Sequence, residues 1–271
     1  MSLPDPRAIH IARAQSSLEQ WFPALLQASV PVPRTEIVTT DVELIELLDG
    51  KMPVGFNEFA DQLRAAAGRI GYPVFLRTGQ GSGKHSWTRT CFVSTADNLL
   101  GHVLALVEWS ELVDFIGLAS NVWVVREFLP LASRFTAFDG TPITVERRYF
   151  IEDGRVRCHH PYWPVSSIRR PSVPNWRALW DEMNQADDAE VAFLTEQSIR
   201  VSHTLPGAWS FDWALGANGV WYGIDMAVAS LSYHWPTCPH VLNDGHSSQA
   251  PDDPMAEPTD NSNSLGRTAI G

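Results

Sequence analysis

Apolar residues recur at two distinct periods along the chain, and those periods set out its elements. Positions 59, 63, 66 and 70 of NEFADQLRAAAGRIG fall at helical spacing, with Asn57 at the start and Gly71 at the end. A second helix is predicted from Asp97 through NLLGHVLALVEW, and a helical region from Asn175 to His203. SSLEQWFPALLQ predicts a short helix ended near Pro23, or two short pieces. DVELIELLDG predicts another, with Asp41 as its N-cap and Gly50 as its C-cap.

Strand patterns occupy TEIVTT, YPVFLR, SWTRTCFVS and NVWVVREFLPL. ITVERRYFIEDGRVRCHHPYW is a hairpin with strands that alternate and turn at Asp153-Gly154. WSFDWALGANGVWYGIDMA is a second, turning at Ala217-Asn218-Gly219. This order predicts an α+β fold with antiparallel sheets, not the regular β-α alternation of a doubly wound parallel sheet. From about Gly245 the chain is Ser, Asp, Pro and Asn with few apolar residues, the composition of a disordered tail.

Composition narrows the classes. The 271 residues, 44% hydrophobic and 19% charged, are those of a soluble globular protein. The net charge of −11 argues against a duplex nucleic-acid binder. Five acids near the end, against Arg267 alone, leave about −7 on the body. Cys91, Cys158 and Cys238 form no C-x-x-C pair and read as reduced, buried thiols. No window reaches 18 apolar residues, and the opening MSLPDPRAIH has no apolar h-region, so a cytoplasmic protein is expected. The histidines match no metal-ligand spacing and are expected to be structural or on the surface.

Four clusters could carry chemistry. In RTGQGSGKHSW, Arg77 and Lys84 bracket three glycines. A Walker loop would need glycine at Thr78 and a hydroxyl at His85, and its loop would open a helix after a parallel strand, so that reading is disfavoured. A flexible loop that brings backbone amides to an anion fits the pattern, as does a plain solvated hairpin. In VVREFLPL, Arg126-Glu127 interrupts an apolar strand, as an ion pair on an edge strand would. In VERRYFI, alternation puts Glu146, Arg148 and Phe150 on one face and Val145, Arg147, Tyr149 and Ile151 on the other. That face offers a carboxylate beside a guanidinium suited to bidentate phosphate binding, or a cross-strand ion pair. In SFDWALGANGVWYGIDMA, the hairpin sets Asp212 and Asp225 roughly opposite, and paired carboxylates of this kind suit Mg²⁺.

Taken in order, from about Gly71 to Pro236, these clusters resemble the ATP-grasp superfamily. The nearer likeness is to a phage and bacterial clade with an arginine-then-lysine first motif. Its relatives include a eukaryotic cell-division-cycle protein that acts in assembling a translation initiation factor. The resemblance implies two α+β subdomains with antiparallel sheets that clamp a nucleotide. They would follow an N-terminal region of residues 1–55, at 56–123 and 124–244, with the tail at 245–271. It implies ATP and Mg²⁺ as cofactors, with Arg77 and Lys84 on the nucleotide and the adenine edge on the backbone of Glu127, Phe128 and Leu129. Glu146 and Arg148 would face the phosphates, Lys84 and Arg148 would act on the transferring phosphoryl, and Asp212 and Asp225 would hold the metal. The activity implied is an ADP-forming ligase joining a carboxylate to an amine or similar nucleophile, its acceptor a small molecule, peptide or protein. The alternative is an ATP-binding assembly factor without ligase chemistry. One departure stands out: Ala227 occupies the place of the family's usual metal-ligating asparagine. Ser230, Ser232 or a water would have to stand in, and turnover would suffer more than nucleotide binding.

Overall fold

The computed structural model describes residues 5–113 and 117–235. The expected disordered tail, Cys238 and the tail acids lie outside the described residues. Chain order runs α1 (Pro6–Gln15), α2 (Leu18–Gln27), β1 (Thr35–Thr39), α3 (Phe56–Ile70), β2 (Val74–Thr78), β3 (Phe92–Val93) and α4 (Leu99–Leu112). It continues through β4 (Val122–Glu127), β5 (Ser133–Ala137), β6 (Thr141–Thr144), β7 (Glu146–Glu152) and β8 (Arg155–Pro161). The last elements are α5 (Trp176–Asn184), α6 (Asp188–Ser202), β9 (Ala208–Leu215) and β10 (Trp221–Val228).

The strands form two four-stranded sheets, ordered β1-β4-β2-β3 and β10-β9-β7-β8, and a small β5-β6 hairpin. Every pairing is antiparallel. In the first layer α3 turns Phe59, Leu63, Ala66 and Ile70 onto the sheet, the four positions that its period marked. α4 adds Leu99, Val103, Leu106 and Val107. Each fully buried leucine or phenylalanine contributes about 1.5–3 kcal/mol, which anchors the helices to β2 and β4.

The second layer has a core of its own. Phe211, Trp213 and Met226 of β9 and β10 meet Tyr149 and Ile151 of β7, with Leu194 and Val201 of α6. α2 joins this core through Leu18, Trp21, Phe22 and Leu25, alongside Val122 and Val124 of β4. The helix continues through Pro23, where an end was expected. Burial of Trp21 and Leu25 on either side of the proline outweighs the one backbone hydrogen bond it removes.

Three further expectations change. SWTRTCFVS is not one strand: Lys84–Ser86 makes a single 3-10 turn and only Phe92–Val93 is extended. Thr90 is the reason, since its hydroxyl donates to the carbonyls of Gly83 (2.7 Å) and Ser86 (3.0 Å) and folds the segment back. DVELIELLDG forms a 3-10 helix at Leu44–Asp49, preceded by Glu43 rather than capped by Asp41; Gly50 does close it, at φ 71°. β4 is a central strand rather than an edge, and Arg126 and Glu127 do not pair with each other. The expected subdomain border at residue 124 falls within β4, whose whole length pairs in the first sheet; the chain leaves that sheet after Glu127. Cys91 and Cys158 are buried, as expected, and Cys158 Sγ lies 2.7 Å from His234 Nε2. Among the described residues no helix is long and apolar enough to cross a membrane.

Candidate nucleotide and metal site

The site begins as one row across the second sheet. Register places Asp225 of β10 opposite Asp212 of β9, Asp212 opposite Arg148 of β7, and Arg148 opposite His160 of β8. Glu146 lies two residues from Arg148 on the same face, as strand alternation requires. Arg147, Tyr149 and Ile151 turn to the other face; Arg147 pairs with Glu190 at 2.8 Å while Tyr149 and Ile151 enter the core.

Arg148 holds Asp212 in a two-pronged bond, Nε to Oδ1 and Nη2 to Oδ2, both 2.7 Å. From the first sheet, Arg77 of β2 donates Nη1 to Asp225 Oδ1 at 2.8 Å, so this pair ties one sheet to the other. Lys84 approaches Glu146 Oε2 at 3.6 Å. Its ammonium lies over Tyr162 and Trp163, 3.9 and 4.4 Å from the ring centres, and Arg148 lies 4.6 Å from the same Tyr162 ring. Arg77, Lys84, Glu146, Arg148, Asp212 and Asp225 therefore converge, as the ordered motifs implied.

Burial and charge oppose each other here. Burial works against the Lys84 ammonium, yet Glu146, Tyr162 and Asp212 hold its pKa above the ordinary lysine value. Arg148 is raised in the same way by Asp212, against its own burial. Burial pushes the Glu146 and Asp212 carboxyls upward, against the pull of Lys84 and Arg148 respectively. Asp225 goes the other way: burial would raise it, but Arg77 and then Arg126 hold it below the usual carboxylate range. Oε2 of Glu146 is buried without a hydrogen-bond donor, a polar atom with unused capacity at the centre of the cluster.

The glycine loop is built differently from the flexible amide cradle expected of it. The Gly79 amide donates to Val122 O at 2.8 Å and the Gly81 amide to Thr78 Oγ1 at 3.1 Å. A Cβ on Gly79 would meet Ser17 Oγ at 2.2 Å, and one on Gly81 would meet the Trp109 ring at 2.5 Å. Close packing, more than anion approach, demands glycine at both. The loop then makes its single 3-10 turn at Lys84 and returns to β3, antiparallel to β2, which excludes the Walker arrangement.

Where the chain leaves the first sheet, Glu127 uses its carboxylate on Arg34, through the Arg34 amide (2.8 Å) and Nε (2.9 Å). Phe128 packs edge-on against Phe92 (4.9 Å) and Trp87 (6.2 Å), two rings to which the sequence assigned no role. Leu129 follows Phe128 as the chain leaves the first sheet. Tyr162 and Trp163 were also missed, since an aromatic pair after a strand carries no signal of the cation it will cover. His160 is buried, and its ring is structural.

Two opposed carboxylates on one face are an oxygen donor set that fits Mg²⁺ completed by phosphates and water. No group of three or more His, Cys, Asp or Glu residues that could hold a metal occurs among the described residues, so protein ligands alone would not complete such a shell. Beside them, Ala227 opposes Ser210, and the Ser210 hydroxyl is bonded to that of Ser232 at 2.5 Å. A hydroxyl pair thus stands one row from the acids; Ser230 is exposed.

Neither a protein-family model nor a curated protein matches the chain. Solved structures do match. C-terminally truncated Cdc123 from Schizosaccharomyces pombe aligns with TM-score 0.52 at 11% identity, over 80% of this chain and 85% of that one. The chain shares the fold of Cdc123. Weaker likenesses include the ATP-grasp ligase PsnB with a minimal precursor (TM-score 0.42, 13% identity, 82% of this chain and 54% of that). D-alanine–D-alanine ligase from Bacillus anthracis with ATP aligns at TM-score 0.44 and 10% identity, over 80% of this chain and 55% of that. The chain spans about half the length of these two ligases.

Proposed function

We propose that the chain is an ATP- and Mg²⁺-dependent ATP-grasp ligase that joins a carboxylate to an amine or similar nucleophile. The observation that carries this reading is the convergence of Arg77 and Lys84, from the first sheet and its loop, on Glu146, Arg148, Asp212 and Asp225 of the second. Arg77, Lys84 and Arg148 bind the phosphates and spread the charge of the transferring γ-phosphoryl. The backbone at Glu127, Phe128 and Leu129 receives the adenine, with Phe128, Trp87 and Phe92 as its apolar wall. Asp212 and Asp225 would hold Mg²⁺, which when bound would neutralise phosphate charge; the Ser210 and Ser232 hydroxyls are the oxygens that could stand in where Ala227 supplies none. Glu146 orients Lys84. The acceptor carboxylate takes the γ-phosphoryl and ADP departs; the nucleophile then displaces phosphate from the acylphosphate.

Ala227 favours a second reading, an ATP-binding assembly factor without turnover. Incubation with ATP, Mg²⁺ and pooled amino acids or peptides separates the two. Release of ADP and phosphate that depends on an added acceptor supports the ligase; thermal stabilisation by ATP with no turnover supports the binding module. Lys84→Ala and Asp225→Ala should each weaken ATP binding in the presence of Mg²⁺ by tenfold or more. Unchanged affinity in both would overturn the site under either reading.

A further inference from the structure

The two acids share a face because of one irregular residue. Along β9 and β10, Trp221 opposes Leu215, Tyr222 opposes Ala214 and Gly223 opposes Trp213. Continued without a break, that register would set Ile224 opposite Asp212 and Asp225 opposite Phe211. Phe211 belongs to the core, so the Asp225 carboxylate would point into apolar packing. Instead the register shifts between Gly223 and Asp225, and Asp225 opposes Asp212. A bulge at Ile224 turns the carboxylate to the other face.

The bulge is held from the opposing sheet. Arg126 of β4 donates Nη1 to the Ile224 carbonyl at 2.5 Å. Its residue is only 3% exposed, and its Nε and Nη2 have no hydrogen-bond partner. Among the described residues no carboxylate hydrogen-bonds to it, although the Asp225 charge acts on it; the Trp21 and Phe22 ring centres lie 5.8 and 5.6 Å from the guanidinium carbon. Burial, followed by the neighbouring Arg77, lowers its pKa to about 9, which leaves it charged at neutral pH. A buried guanidinium without a paired acid is a costly way to fill space, and methionine or leucine would pack there more cheaply.

We propose that Arg126 is a positioning residue for Asp225: it pins the bulged carbonyl of Ile224 and so keeps Asp225 beside Asp212 on the ligand face. The inference rests on the assignment of Asp225 to the metal. Arg126 touches neither phosphate nor metal in this scheme. Its loss therefore disturbs the metal side of the site and spares the cations that meet ATP.

The test uses the full chain with Arg126→Met and Arg126→Lys, with Asp225→Asn as reference. ATP affinity is measured by calorimetry across a Mg²⁺ titration and again in EDTA, with melting temperature recorded alongside. Arg126→Met should raise the Mg²⁺ concentration for half-maximal ATP affinity by tenfold or more, with affinity in EDTA within twofold of the parent. Arg126→Lys, which keeps the charge on a shorter reach, should shift it by threefold or more. A Mg²⁺ midpoint within twofold of the parent, or losses of equal size with and without Mg²⁺, overturns the proposal. If Arg126→Met does not fold, Arg126→Lys decides by its own threshold. If Asp225→Asn leaves the midpoint unmoved, the metal assignment itself falls, and this inference with it. If Asp225→Asn moves it and the Arg126 variants do not, only the inference falls.

Discussion

Single residues decide how this site behaves in acid, and His160 is the clearest case. Its Nδ1 lies 2.7 Å from the Pro161 carbonyl and its Nε2 has no partner, among the rings of Phe150, His234 and Trp235. Burial lowers its pKa to about 3, since a second N–H would enter apolar surroundings. The folded value lies below the ordinary 6.5, so the unfolded chain binds the extra proton first as pH falls. Stability is full above about pH 6.5 and declines towards pH 3, by up to about 1.4 kcal/mol per pH unit. His160→Phe should flatten that part of the profile, read as urea midpoints at pH 7 and pH 4.5. An unchanged slope would place the acid sensitivity elsewhere. At this scale the sequence was legible where types repeat with period two: alternation alone put Glu146 and Arg148 on one face, and only the resemblance made that face the candidate site. Arg126 was not legible, because a lone arginine in an apolar strand looks the same whether it meets water or the opposing sheet.

Elements were legible in proportion to their regularity. The β7–β8 turn is one case: Asp153 at φ 47° and Gly154 at φ 74° match the Asp-Gly signal. Space reinforces conformation there, since a Cβ on Gly154 would meet His203 Cε1 at 2.5 Å. Gly154→Ala should therefore lower stability by about 1–3 kcal/mol, read as a urea midpoint. A loss below half of that would mean that His203 swings aside freely. Where side chains redirect the backbone the pattern failed, as with the Thr90 hydroxyl in SWTRTCFVS. The opposition of Asp212 and Asp225 was reached by counting to a turn, yet it depends on the Ile224 bulge, which the sequence does not mark.

For the whole molecule, the charges of the candidate site are matched in pairs across and within the sheets: Arg77 with Asp225, Arg148 with Asp212, Lys84 with Glu146. Under the proposed function ATP alone meets Asp212 and Asp225, and Mg²⁺ alone meets Arg77 and Arg148. Each ligand relieves the repulsion that the other suffers. Mg²⁺ should tighten ATP binding by tenfold or more, and ATP should tighten Mg²⁺ by the same factor, as linkage requires. Paired titrations read both factors; independent binding would show that the acids and cations do not share one ligand site.

The order in which the chain is synthesised gives the second core a different meaning. Trp21, Phe22 and Leu25 of α2 are made about 100 residues before Val122 and Val124 of β4 and about 190 before Phe211, Trp213 and Met226, which complete their core. At about 5–20 residues per second the helix waits roughly ten to forty seconds for the last of its partners. Until β9 and β10 follow, that helix face is incompletely covered, so a nascent chain stalled before β9 exposes apolar surface that favours aggregation.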